Sequence, residues 1–200
     1  MNIGIDIDDT LSDLFAFKVK FATKYIKENH LPYKLVNKHG VLFSDIFDWP
    51  MEECDKFWYA NADKMLSLVP PRKDVQAVLK KLRNDGHKLI IITARNAKWH
   101  TDPYKLSTDW LNKNNIIFDK LLIGHEDKLQ ACLDEKIDIF IDDSPKIIQK
   151  LNENNIKCVI MNNLHNQNLD LNYQRVYGWK DFYNFVSTFN NKQEINVCEK

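Results

Sequence analysis

A short apolar strand ending in carboxylates, at the front of the chain, most limits what this sequence can fold into. Residues 2–11 read NIGIDIDDTL, and Ile3, Ile5 and Ile7 are β-branched and spaced by two, the pattern of a buried strand. At its C-terminal end Asp6, Asp8 and Asp9 crowd into four positions. Carboxylates packed side by side raise one another's pKa unless a cation lies among them. In open α/β sheets the C-terminal strand ends face the ligand crevice, and oxygen-only donors there suit Mg²⁺. Taken alone, the same residues would serve equally well as a solvated acidic turn capping the next helix.

A helix is expected from Ser12 to about Glu28, where Leu14, Phe15, Val19, Phe21, Ala22 and Tyr25 recur at helical spacing, with Ser12 or Asp13 as cap. Pro32 ends it. Residues 33–68 are aromatic-rich, with Phe43, Phe47, Trp49, Phe57, Trp58 and Tyr59, and Pro50 starts a second helix running from Met51 to about Met65. No strong strand appears between Leu11 and Pro70. Residues 17–70 therefore read as a helical insertion, and long insertions after a catalytic strand are usually functional lids.

From Asp74 the rhythm becomes regular. Strands are expected at 88–93, 120–123, 137–143 and 157–161, and helices at about 75–84, 104–114, 128–134, 145–152 and 181–188. The Asn-rich stretch 162–172 reads as a loop. Such alternation predicts an α/β fold, a doubly wound parallel sheet with helices on both faces. Its core would be residues 1–16 and 71–200, with the small helical cap inserted after the first strand.

Twenty-eight basic residues balance 28 acidic ones, so no field is present to collect a nucleic-acid polymer. A small phosphorylated substrate held by local charges fits better. The N-terminal residues lack a leader pattern, no apolar run approaches the roughly 18 residues of a membrane span, and Cys54, Cys132, Cys158 and Cys198 form no CxxC pair. Reduced thiols and a cytoplasmic location are expected, with no membrane partner. A homodimer is compatible with all of this.

Four elements carry chemistry at predicted strand ends or just beyond: Asp6/Asp8, Thr93, Lys128 and Asp142/Asp143. Each has an ordinary reading as a helix cap or a surface residue; their joint occurrence in this order argues against coincidence. Asp6-Ile7-Asp8-Asp9-Thr10 resembles the DxDx[T/V] motif of the haloacid dehalogenase (HAD) superfamily of phosphotransferases. Ile91-Ile92-Thr93, Lys128 and Ile139-Phe140-Ile141-Asp142-Asp143 look like its second, third and fourth motifs. The insertion, Pro103-Tyr104-Lys105 with Trp110, and Asp142-Asp143-Ser144-Pro145 are similar to the 5'(3')-deoxyribonucleotidase (cytosolic type C 5'-nucleotidase) family. That family tends to have Thr-Ser-Pro where this chain has Thr93-Ala94-Arg95, and often Gly-Val where it has Asp9-Thr10.

The resemblance implies a Mg²⁺-dependent phosphomonoesterase acting on nucleoside monophosphates. Asp6 would be the nucleophile that forms an aspartyl-phosphate, and Asp8 the general acid and then base. Asp6, the Asp8 backbone carbonyl and Asp142 would hold Mg²⁺, with Asp143 helping through water. Thr93 and Lys128 would hold the phosphate oxygens. Arg95 reads either as a contact to the phosphate or a base edge, or as a surface residue starting a helix. Most of the insertion's aromatics read as core, with Phe15 and Trp58 the candidates to stack on a base, a contact worth ~1–3 kcal/mol. Sugar phosphates, nucleic-acid 3'-phosphate ends and a non-catalytic phosphate-binding module are the alternatives. Replacing the nucleophile, Asp6→Asn, is expected to abolish turnover, and substantial activity in the pure variant would remove Asp6 from that role.

Overall fold

The computed structural model describes residues 1–40, 42–169 and 172–198, with side chains as far as Phe189. Six strands form one parallel sheet: β1 (Asn2–Ile5), β2 (Lys88–Ile92), β3 (Lys120–Leu122), β4 (Ile139–Asp142), β5 (Lys157–Met161) and β6 (Gln174–Val176). They lie in the order β3-β2-β1-β4-β5-β6. The chain builds outward from β1 on one side, then returns to its other side at β4. That reversal puts the crevice at the C-terminal ends of β1 and β4.

The connecting helices are α1 (Leu14–Glu28), α2 (Phe43–Ile46), α3 (Met51–Leu68), α4 (Val75–Asn84), α5 (Pro103–Lys113), α6 (Leu129–Asp134), α7 (Pro145–Glu153) and α8 (Trp179–Cys198). Strand residues alternate between two buried layers. Ile3, Ile5, Leu89, Ile91, Ile139 and Ile141 pack with residues of α4, α5 and α8, such as Leu79, Trp110 and Phe182. Ile90, Ile92, Phe140, Cys158 and Ile160 pack with residues of α6 and α7, such as Cys132, Ile148 and Leu151. Both faces of the sheet are therefore covered, which is why its strands read as continuous apolar runs. Helices α1 to α3 extend the first layer through Phe15, Phe43, Phe57 and Met65, and α3 packs on α5.

The expected α/β architecture holds, with local differences. The strand expected to include Ile7 stops at Ile5. The Ile7 carbonyl instead receives the N–H groups of Leu11 and Ser12, each at 2.9 Å, and Asp9 turns left-handed at φ 60. Ile7 nevertheless stays fully buried. Neither Ser12 nor Asp13 caps α1 with its side chain. Asp9 reaches over and accepts the Phe15 N–H at 2.6 Å. Helix α2 and strand β6 were not expected; each spans only a turn or three residues, too short to show periodicity. Residues 162–169 of the Asn-rich stretch form the expected loop, and Asp170 and Leu171 lie outside the described residues. Cys54, Cys132 and Cys158 are free and buried, while the Cys198 side chain lies outside the described residues. Among the described residues no helix is long and apolar enough to cross a membrane.

Gly4 sits opposite Phe140 in the β1–β4 register, and the Phe140 ring covers its Cα. A Cβ there would lie 2.2 Å from Phe140 Cδ2 and 2.8 Å from Cε2. Gly4→Ala should thus cost ~1–3 kcal/mol through overpacking, measured by urea unfolding; an unchanged midpoint would show that the ring has room to turn.

Candidate active site

All four strand-end elements converge. Asp6 follows β1, its N–H still bonded to the Ile141 carbonyl at 3.1 Å, so β1 and β4 carry Asp6 and Asp142 out of the sheet side by side. Lys128 lies between them. Its Nζ is 2.6 Å from Asp6 Oδ1 and 2.6 Å from Asp142 Oδ2, with all three side chains at most 7% exposed. Lys128 takes a left-handed backbone at the start of α6, φ 63. That conformation is unfavourable for a residue with a Cβ, and it persists where the surroundings over-determine it.

The electrostatics of this cluster follow from burial. Burial raises the Asp6 carboxyl well above the ordinary carboxylate value, Lys128 opposes that, and Asp142, Asp143 and Asp8 add to it. Asp142 is also raised, by burial first, with Lys128 opposing. Burial alone would lower the Lys128 ammonium, but Asp142 and Asp6 outweigh it and hold the group above its usual value. Asp9 is pushed up to about 6, chiefly by burial and by Asp143.

Carboxylate oxygens of Asp6, Asp142 and Asp143 lie within 4.8 Å of one another. An all-oxygen set of this size can hold a hard cation. Asp142 Oδ1 is steadied by the Ser144 N–H at 2.8 Å. The Asp8 side chain does not join the group. It faces Arg95, whose Nε and Nη2 donate to its two oxygens at 2.9 and 2.6 Å. Any share Asp8 takes in metal binding therefore falls to its backbone carbonyl. Arg95 is neither on the surface nor starting a helix; it is 4% exposed. Thr93 is buried at the end of β2, and its Oγ1 accepts the Arg95 N–H at 3.4 Å.

Sequence reasoning missed a second tier of residues behind Asp143. His165 Nε2 lies 3.0 Å from Asp143 Oδ2. Burial would lower the His165 pKa, and the bond to Asp143 reverses this and raises it. Asn166, fully buried, donates to the Asp143 and Met161 carbonyls at 2.8 and 2.9 Å. The available signal was position: the Asn-rich stretch starts at the C-terminal end of β5, on the same edge as every other site loop.

Two cavities meet at Asp8 and Ala94. One, about 550 Å³, is walled by the acidic cluster, Thr93 and Lys128. The other, about 390 Å³, is lined by Phe43, Met51, Trp58, Trp99, His100 and Arg95 among others. Trp58 faces this cavity. Phe15 does not: it is 1% exposed in the core, its ring 5.6 Å from that of His165 and under Lys18 Nζ at 4.8 Å. Helix α3 is tied to the loop bearing Arg95 by Asp63, which meets His100 Nδ1 at 2.8 Å and the Thr101 N–H at 3.2 Å. Tyr59 stacks on Trp99 at 5.3 Å between centroids.

Residues 1–193 match the model of the family described as 5' nucleotidase, deoxy (pyrimidine), cytosolic type C protein. The chain belongs to this family. As a member of the cytosolic type C 5'-nucleotidases it is a phosphatase of the nucleotidase kind. It is 28% identical over 196 residues to a nucleotidase of Clostridium acetobutylicum, with 97% of each chain covered. Among solved structures it is similar to a haloacid dehalogenase-like hydrolase from Streptococcus pneumoniae, with TM-score 0.65, 15% identity, and 92% of this chain and 97% of that one covered. A HAD-superfamily hydrolase of subfamily IA from Geobacter sulfurreducens gives TM-score 0.61 at 15% identity, over 92% and 95% of the two chains. These structural likenesses establish the nucleotidase's fold as that of the HAD hydrolases.

Removing one member of a buried charge cluster leaves the others uncompensated, which costs about 3–5 kcal/mol. Lys128→Met should therefore lower stability by that order in EDTA-containing buffer, read by urea unfolding at neutral pH. A loss under about 1 kcal/mol would mean that Asp6 and Asp142 do not depend on the ammonium.

Proposed function

We propose that this nucleotidase hydrolyses nucleoside monophosphates through a phosphorylated Asp6, with residues 17–70 as the substrate-selecting cap and residues 1–16 and 71–200 as the catalytic core. The observation that carries the reading is the pair of cavities joined at Asp8: a charged one that suits a phosphate and an apolar, aromatic one that suits a base. Sugar phosphates would leave the aromatic cavity without a partner.

The chemistry follows from the charges. Lys128, at hydrogen-bond distance from Asp6, keeps its proton and offsets the carboxylates, so a phosphate dianion can approach the Asp6 oxygen that attacks it. The Thr93 hydroxyl and the Lys128 ammonium line the cavity that receives the non-bridging oxygens. Asp8 lines both cavities, which puts it where a base-bearing leaving group and the phosphate would meet. It protonates the departing oxygen and then takes a proton from the water that frees Asp6. The oxygen donors of Asp6, Asp142 and Asp143 fit Mg²⁺. Bound there, Mg²⁺ would neutralise repulsion between Asp6 and the phosphate.

Phosphate release from ribo- and deoxyribonucleoside 5'- and 3'-monophosphates, sugar phosphates and an aryl phosphate tests the reading. Turnover should need Mg²⁺, stop in EDTA and be strongest on nucleotides. Trp58→Ala should raise KM for nucleotides by about 5- to 150-fold, the equivalent of ~1–3 kcal/mol of stacking, and far less for the aryl ester. Equal losses on both substrates would mark Trp58 as packing only, and turnover confined to the aryl ester would discard the nucleotide.

A further inference from the structure

Arg95, in the loop after β2, has a specific placement. Its backbone is held on both sides: the N–H by Thr93 Oγ1 at 3.4 Å and the carbonyl by the Gly124 N–H at 2.8 Å. Its guanidinium is 2% exposed and grips both oxygens of Asp8, while Nη1 lies 3.4 Å from the buried Ser107 Oγ on α5. With Arg95 buried and the Asp8 side chain 28% exposed, the pair is a weak source of stability, since desolvation of the guanidinium offsets much of its Coulomb gain. A planar two-pronged fork does fix the plane and direction of the carboxylate it meets.

We propose that Arg95 is the positioning residue for Asp8, clamping it in the orientation that takes a proton from the water attacking phosphorylated Asp6. This rests on the acid–base reading of Asp8. Free of its clamp, the Asp8 side chain would rotate among staggered wells. With one lone pair of each oxygen occupied by Arg95, a second remains on each. In this step a water O–H bond breaks and its proton goes to Asp8. The water oxygen bonds to phosphorus, the phosphorus–Asp6 oxygen bond breaks, and its electron pair returns to the Asp6 carboxylate. With a leaving group that needs no proton, Arg95 therefore acts only on this second half of the reaction.

An aryl phosphate whose phenolate leaves without a proton isolates that half. In stopped flow with Mg²⁺, Arg95→Met should give a burst of phenolate followed by a kcat lowered about 10- to 100-fold, the scale of a misplaced catalytic group, with kcat/KM changed much less. Acid-quenched protein should carry phosphate on Asp6 by intact mass. Arg95→Lys, which keeps the charge but loses the fork, should be intermediate. Asp8→Asn is the reference and should show the same burst. If Asp8→Asn shows none, the acid–base reading fails and takes this proposal with it. If Asp8→Asn bursts while Arg95→Met lowers kcat and kcat/KM together without a burst, only the proposal fails. Inhibition by inorganic phosphate then separates the causes: weakened inhibition makes Arg95 a phosphate contact, and unchanged inhibition makes it a prop of the fold.

Discussion

The ammonium of Lys128, held between Asp6 and Asp142, is the contact on which the site depends. Parallel strands β1 and β4 run side by side, so their ends deliver two carboxylates into one buried space whether or not that is favourable. Burial alone would protonate both acids and deprotonate the lysine. Brought together, Lys128 reverses part of that tendency in both acids and they reverse it in the lysine, which stays charged, although Asp142 adds to the rise at Asp6. The arrangement costs backbone strain, visible as left-handed angles at Lys128 and Asp9. Such strain persists at functional sites when the surrounding fold leaves no alternative.

Around this charged centre the molecule is layered by distance from the chemistry. His165 and Asn166 steady Asp143 from behind, and Ser144 steadies Asp142. Arg95 joins the loop after β2 to the acid at the end of β1. Helix α3 is fastened to that same loop through Asp63 and Tyr59. The match to the cytosolic type C 5'-nucleotidase family runs over residues 1–193 and so takes in every one of these residues.

What could be read from the sequence divides along physical lines. Buried strands announce themselves, because a sheet covered on both faces needs unbroken Val, Ile and Leu; β5 was legible to the residue. Acidic and hydroxyl residues at strand ends were legible because topology alone brings such ends together. Partner choice was not. Nothing in the order of residues says that Arg95 would turn inward to Asp8 rather than outward to a ligand, since that depends on Ser107, seated on α5, and on Gly124, next to β3. Phe15 failed as a cavity residue for a similar reason. Helical spacing says that it is buried, but whether it faces core or cavity depends on where His165 and Lys18 arrive. Asn166 was hidden by composition, since a run of asparagines reads as solvent-facing until one of them is needed to satisfy buried carbonyls.

None of the residues lining the charged cavity comes from α1, α2 or α3, whereas Lys18, Phe43, Met51 and Trp58 of the aromatic cavity all do. The helices thus wall only the aromatic cavity, while the loop after β2 serves both, with Thr93 and Ala94 on the charged side and Ala94, Arg95, Trp99 and His100 on the aromatic side. Variation in the helical stretch can therefore redraw what is admitted without unbalancing the buried charges. Substitutions confined to those helices reshape one cavity and leave every residue of the other in place.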